Sequence, residues 1–267
     1  MKIQKQLSNI EFITDKKINF FILLWAYISF NKNKANENYK EHISNNKYEL
    51  PFDIEYTGEE EKEMQDFFNG GKLIENIMDY PLLKNLYEKN KDKWENYWDN
   101  HIKDLMEIKN SLKDEMNKFN LSLFEDIAHF FETDYPKKIK IYLFFGDKRK
   151  LMAYAHRDKI FILNPRNYKE LENYPRKVLP KLLHEIVHIY QDKFMRYFKD
   201  KKKRLEMMEK TANCFASKGF FIRTHKIDRE GKSLEFYNLI IDSFKQGKTV
   251  SDIWEKMIGL SDFQYYR

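Results

Sequence analysis

Apolar side chains recur every three or four positions through most of the first 133 residues, which is the periodicity of amphipathic helices. One extended helix is predicted by the apolar stripe Trp94, Trp98, Ile102, Leu105, Leu112, Met116 and Phe119. Thr57 and Glu60 have the spacing of a capping box, and Pro81 suits a first helical turn. We interpret the stripe as a packing surface, and we predict that residues 1–133 form a helical N-terminal region.

The periodicity changes after Pro136, where two segments alternate and are rich in β-branched and aromatic residues. These segments are Lys138–Phe145 and Lys159–Leu163, and Leu151–Ala155 between them is a candidate for a further strand. Because no helix separates the three segments, we predict a short antiparallel meander and not a parallel sheet.

Helical periodicity returns near Pro180. A proline cannot lie deep inside a regular helix, so the helix either begins there or has a kink in an earlier turn. Further helices are predicted over about Leu205–Phe220, between Gly231 and Gly247, and over Ser251–Met257. Residues 134–267 are therefore predicted to form a second domain, and the chain as a whole to be mainly helical α+β with a small antiparallel or mixed sheet.

Composition and charge narrow the classes of function. The chain has 267 residues and one cysteine, Cys214, so an intramolecular disulfide is impossible and a reducing compartment, the cytoplasm, is the predicted location. The net charge of +6 comes from 48 basic and 42 acidic residues that are mixed along the chain, which argues against a nucleic-acid partner.

The most apolar run, Ile18–Phe30, is shorter than the roughly 20 residues that cross a bilayer. It also lacks a following small-residue cleavage site. We predict a buried helix there and no membrane partner.

The candidate chemistry lies in the segment LLHEIVHIY, residues 182–190, which contains the pattern H-E-x-x-H. His184 and His188 project from one face of the predicted helix, one turn apart, and both can reach one tetrahedral ion. Glu185 adjoins that face and can reach a water molecule at the metal without binding the metal. The flanking residues are almost all apolar, which implies burial, and buried titratable groups need partners such as a metal.

A catalytic zinc normally takes three protein ligands. Glu209, in the following predicted helix, is the preferred third ligand, and Glu206 is the alternative. Asn213 lies one turn beyond Glu209 and is predicted to hydrogen-bond a ligand imidazole. The sequence therefore predicts one Zn²⁺ per chain.

The HExxH motif and the residues that follow it resemble the gluzincin type of zincin metallopeptidases, and are most similar to the ImmA/IrrE-like family. In that family the motif is followed by a glutamate and Ala-Asn-x-Phe-Ala, which Glu209, Ala212, Asn213, Phe215 and Ala216 match. The resemblance covers about residues 138–220. It implies a zincin-like domain and zinc-dependent cleavage of an intracellular regulatory protein. The family's usual Leu-Met-Pro-like ending is replaced here by residues 217–223, SKGFFIR.

These residues predict a metallopeptidase in which Glu185 is the general base. His225 is the first candidate for stabilising the oxyanion, and the others are Arg223, Tyr190, Tyr154 and His156. In a zincin, Ile160–Leu163 would lie along the edge of the cleft, where an extended protein or peptide substrate adds as a strand. The alternatives are a toxin-like or effector peptidase acting in another cell, and a regulatory protein that binds zinc without turnover.

Overall fold

The computed structural model describes residues 10–32, 52–70, 72–117, 122–134, 138–145, 152–156, 159–164, 169, 174–191, 199–216 and 231–261. The helices are α1 (Lys16–Lys32), α2 (Gly58–Asn69), α3 (Pro81–Met116), α4 (Ser122–Phe130), α5 (Tyr174–Tyr190), α6 (Lys201–Ala216), α7 (Gly231–Lys245) and α8 (Trp254–Leu260). The strands are β1 (Ile10–Ile13), β2 (Ile139–Phe145), β3 (Met152–His156) and β4 (Lys159–Asn164), and 3-10 helices cover Ile74–Asp79 and Ser251–Ile253. The prediction of a mainly helical α+β protein is confirmed.

The four strands form one sheet in the order β1-β2-β4-β3. β1 pairs with β2 in parallel, and β2 pairs with β4 in parallel, with Ile141 opposite Ile160. β3 runs antiparallel to β4, with Ala155 opposite Ile160. The predicted antiparallel meander is therefore wrong, because β4 lies between β2 and β3.

The apolar content of the strands explains this order. Ile160, Phe161 and Ile162 are all buried, so β4 is apolar on both faces and suits the interior of the sheet. β3 is shorter and contains two alanines, which suits an edge. Parallel pairing requires a connection of about a dozen residues, and the segment between β2 and β4, whose described residues form β3, supplies it.

β1 is an exception to the helical character predicted for residues 1–133. Ile10 and Phe12 are buried and alternate with the half-buried Glu11 and Ile13, but four residues are too few for a reliable period. The segment is a strand because β2 pairs with it, and β2 lies more than a hundred residues away along the chain.

Several local predictions in the N-terminal half are confirmed. The hydroxyl of Thr57 accepts a hydrogen bond from the Glu60 N–H at 3.2 Å, and the Glu60 carboxylate accepts one from the Thr57 N–H at 2.6 Å, which completes the capping box. Pro81 begins α3, whose buried side includes Trp94, Trp98, Leu105, Leu112 and Met116. Phe119, the last residue of the predicted stripe, lies outside the described residues.

One cluster of buried apolar residues extends from Ile10 to Met257 and includes the buried part of α1. Elements from both sides of residue 133 contact each other, since β1 pairs with β2 and α3 packs against α5. The division into domains at 1–133 and 134–267 stays a prediction. In the part of the chain that the structure describes, each helix is too short or too polar to span a membrane.

Candidate metal centre

The helix that carries the HExxH motif, α5, begins earlier than the sequence suggests. It starts at Tyr174 and contains Pro180, so the helix does not begin at that proline. Pro175 lies in the first turn, where proline is well tolerated, and it marks the start that the sequence analysis missed. α5 packs against β3, β4, α3 and α6, and its apolar side chains between Val178 and Val187 are buried. This packing holds the helix in place on several sides.

Three predicted ligands come together between α5 and α6. His184 Nε2 lies 2.9 Å from His188 Nε2. The two carboxylate oxygens of Glu209 lie 3.4 Å from His184 Nε2 and 3.6 Å from His188 Nε2. Among the described residues, His184, His188 and Glu209 form the group of three His, Cys, Asp or Glu side chains whose ligand atoms all lie within 4.8 Å of one another.

The spacing of these atoms is close to that of a tetrahedral zinc site. Zinc bonds to imidazole nitrogen and carboxylate oxygen at about 2.0–2.2 Å, which places neighbouring ligand atoms about 3.3–3.6 Å apart. The Glu209 oxygens lie 3.4 Å from His184 Nε2 and 3.6 Å from His188 Nε2, whereas the two nitrogens are 2.9 Å apart, a hydrogen-bond distance, and would separate by about 0.4 Å around an ion. The donor set, two imidazoles and one carboxylate, is also the set that a catalytic zinc takes while leaving a fourth position open.

The surroundings of His188 favour its neutral imidazole and fix the orientation of the ring. Burial, with a smaller contribution from His184, lowers the pKa of His188 to about 4. Its Nδ1 lies 2.9 Å from Oε1 of Gln191, and because a carbonyl oxygen only accepts, Nδ1 carries the proton and donates. Nε2 of His188 is therefore an unprotonated nitrogen that faces His184 and Glu209.

Glu185 lies beside this group in a drier environment. It is 8% exposed, and burial raises the pKa of its carboxyl group to about 7, with a further increase from the charge of Glu209. His184, a hydrogen bond from the backbone N–H of Ala155 in β3, and Lys181 act in the opposite direction. A carboxyl group with a pKa near neutrality can both take up and release a proton at physiological pH.

The structure separates the two candidates for the third ligand. Glu209 faces the histidines, whereas Glu206, one turn earlier on α6, is exposed and lies outside the converging group. The predicted role of Asn213 is not observed, because its amide N–H donates to the backbone carbonyl of Glu209 at 2.7 Å within the same helix. Gln191 hydrogen-bonds the imidazole instead.

Gln191 is the residue of this site that the sequence analysis missed. It directly follows α5 and is three positions after His188, so it lies one turn further along the same face. That spacing from a predicted ligand is the signal by which it could have been found.

The candidates for oxyanion stabilisation are only partly described. His225 and Arg223 lie outside the described residues, and so do the side chains of Tyr154 and His156 in β3. Tyr190 is fully buried, so its hydroxyl is not presented to a substrate. The prediction for His225 stays a prediction.

The strand at the edge of the sheet differs from the expected one. Ile160–Leu163 belongs to β4, which is covered on both sides by β2 and β3, so the prediction that it lines the cleft edge is wrong. β3 is the edge strand, it packs against α5, and its Ala155 N–H reaches Glu185. The edge next to the candidate site therefore belongs to β3.

Comparison with protein-family models finds no match, and comparisons with curated proteins and with solved structures find none either. The resemblance to ImmA/IrrE-like peptidases stays a prediction from the motif residues. The functional argument depends on the geometry of the α5 and α6 side chains.

Proposed function

We propose that the protein is a zinc-dependent metallopeptidase that holds one Zn²⁺ per chain with His184, His188 and Glu209, in a zincin-like domain. The observation that carries the proposal is the convergence of two imidazole nitrogens and a carboxylate within 4.8 Å. A bound zinc ion would act as a Lewis acid that makes water nucleophilic near neutral pH and polarises a carbonyl group.

Glu185 supplies the proton transfer in this proposal. Its carboxyl group adjoins His184 along α5, and in the proposed reaction it would accept a proton from a water molecule at the metal and pass it to the leaving amine. The N–H of Ala155 orients that carboxyl group from β3. Apolar residues of α5 surround Glu185, whereas the Glu209 side chain is 36% exposed, so the site can be reached from solvent on the α6 side.

The free edge of β3 supports a protein or peptide as the substrate. In the described part of the chain, no strand pairs with the side of β3 that faces away from β4. An extended peptide can hydrogen-bond to such an edge as an added strand, and β3 contacts the helix that carries Glu185. This arrangement would bring a peptide bond close to the site.

The proposed setting of the reaction rests on the chemistry of the cysteine and on the motif residues. We propose a cytoplasmic peptidase acting on a regulatory protein. The single cysteine, Cys214, is buried, and burial raises the pKa of its thiol, which suits a small core residue in a reducing compartment.

The first experiment measures zinc by mass spectrometry in protein purified without added metal. We expect about one zinc per chain, and a large loss in Glu209→Gln because the carboxylate ligand is replaced by a weaker amide. Glu206→Gln is the matched control, since it makes the same change one turn earlier on an exposed position of α6. Equal zinc in the two variants would contradict the ligand assignment, and no zinc in folded wild type would contradict the proposal as a whole.

The second experiment tests turnover on a library of peptides cleaved from whole-cell protein. Glu185→Gln should lower kcat/KM by about 10²–10⁴-fold and leave the zinc content unchanged, because the carboxylate transfers protons without binding the metal. Cleavage that survives this substitution would come from a different residue or a contaminant. A zinc-loaded wild type that cleaves no peptide would support a regulatory zinc-binding protein instead.

A further inference from the structure

Gln191 uses both ends of its side-chain amide. Oε1 accepts the hydrogen bond from Nδ1 of His188 at 2.9 Å, and Nε2 donates to the backbone carbonyl of Met208 in α6 at 3.1 Å. The residue is 0% exposed, so water does not compete for either bond. Because the two bonds require opposite ends of the amide, only one orientation of the group satisfies both.

The first bond determines which nitrogen of His188 faces the candidate metal centre. An acceptor beside Nδ1 holds the proton on that atom, so Nε2 keeps its lone pair toward His184 and Glu209. A carboxylate, a backbone carbonyl or water in this position is the usual partner of a metal-binding imidazole. The amide oxygen of Gln191 accepts from the same ring N–H.

The second bond connects this imidazole to the other helix. Met208 directly precedes Glu209, and Nε2 of Gln191 bonds to its carbonyl. One side chain therefore joins the end of α5, which carries two of the ligands, to the turn of α6 that carries the third.

We propose that Gln191 is a positioning residue for the metal centre, which sets the protonated nitrogen of His188 and holds Glu209 in register with the two histidines. This inference rests on the proposed function, because it requires that these three residues bind the metal. The side chain acts through His188 and α6 and touches neither metal nor substrate.

The test compares Gln191→Met with Gln191→Glu. Methionine has a similar length and forms neither hydrogen bond, so we expect zinc affinity, measured by competition with a chelator, to fall about 10–100-fold. Glutamate retains an acceptor for His188 but has no donor for Met208, so it should recover a substantial part of that loss. Gln65→Met is the matched control, because it removes an amide of the same size from α2, where Gln65 bonds to Glu61.

A second readout requires neither zinc binding nor peptidase activity. It is the ¹⁵N NMR spectrum of the His188 ring in the metal-free protein. Wild type and Gln191→Glu should show the proton on Nδ1, and Gln191→Met should shift the population toward Nε2–H. A merely structural role for Gln191 would lower the unfolding temperature without changing this ratio.

The outcomes separate the two proposals. Zinc affinity within threefold of wild type in Gln191→Met, or an unchanged ring tautomer, would overturn the role of Gln191. If zinc affinity depends on Gln191 as expected but the zinc-loaded wild type cleaves no peptide, the peptidase proposal is overturned and the positioning role of Gln191 remains. Wild type that binds no zinc would overturn both.

Discussion

Two regions of the molecule bury polar groups, and they do so differently. Around α3, the buried donors of Asn90 and Trp94 meet acceptors. The Asn90 amide donates to the carbonyls of Leu86 and Glu55, both at 2.9 Å, and accepts from the Glu55 N–H at 2.9 Å. The Trp94 indole N–H donates to the carbonyl of Lys16 at 2.9 Å. These bonds satisfy both side chains within the protein. They connect α3 to α1 and to the segment that precedes α2.

Between α5 and α6, three groups that can each bind a metal lie within hydrogen-bond or ion-pair distance of one another. The unprotonated Nε2 of His188 and the carboxylate of Glu209 face the same point as Nε2 of His184. A proton satisfies one pair of these atoms at a time, whereas a metal ion would bond all three. The two regions therefore differ in the groups that meet: donors face acceptors around α3, and possible metal ligands face one another between α5 and α6.

The largest expected effect is in the region around α3. Trp94 is buried and its ring contacts those of Phe20, Phe52 and Trp98, so Trp94→Ala should lower the free energy of unfolding by about 3–5 kcal/mol. Chemical denaturation measures the change, which should be the same with and without zinc. Leu82→Ala, at an exposed position of α3, should change it by less than about 0.5 kcal/mol. Similar effects of the two substitutions would contradict the packing role of Trp94.

The next largest effect is the dependence of the free energy of unfolding on pH that Glu185 causes in zinc-free protein. Its pKa rises from 4.5 to about 7 on folding, so the charged form destabilises the folded state, and stability is lost as pH rises between these values. At 1.36 kcal/mol per unit, Glu185→Gln should raise the free energy of unfolding by on the order of 3 kcal/mol at pH 8. The same substitution should have little effect at pH 4, where the carboxyl is protonated in both states. A difference between the two proteins that does not vary with pH would contradict the raised pKa.

Zinc itself should give a slightly smaller stabilisation. At a free concentration 100 times its Kd, a ligand that binds only the folded state adds about 2.7 kcal/mol. Differential scanning calorimetry should show this increase in wild type and its reversal by a chelator. His188→Gln should abolish it, and His129→Gln, at an exposed position of α4, should leave it unchanged. An equal response of the two variants would place the zinc elsewhere.

The smallest expected effect concerns the cap of α2. Thr57→Ala removes the hydroxyl that accepts from the Glu60 N–H, and should lower the free energy of unfolding by about 1 kcal/mol. Thr57→Ser keeps the oxygen and should retain most of the stability. The effect should not depend on zinc, because the cap belongs to the N-terminal region; a loss of zinc affinity in Thr57→Ala would show that the two regions are coupled.

The features predicted correctly from the sequence depend on residues that are close together along the chain. The capping box of Thr57 and Glu60, the buried side of α3, and the face shared by His184 and His188 each depend on residues within a few turns of one helix. The sequence also predicts Glu209 beside the histidines, because a turn can bring the following helix alongside the helix that carries them.

The features that were missed depend on contacts between distant segments. β1 is a strand because of β2, and β4 takes the interior of the sheet because β3 is less apolar. The choice of Gln191 over Asn213 depends on how closely α5 approaches α6, since both amides lie within one turn of a predicted ligand. Local periodicity carries no information on any of these distances.

The parallel pairing of β1 with β2 has a consequence for synthesis on the ribosome. β1 leaves the exit tunnel before residues 14–138 have been translated, and its partner follows them. At roughly 5–20 residues per second, the nascent β1 spends on the order of ten seconds without the strand beside which it folds. A strand with a free edge can pair with other chains, so this interval is the one in which β1 is open to such association.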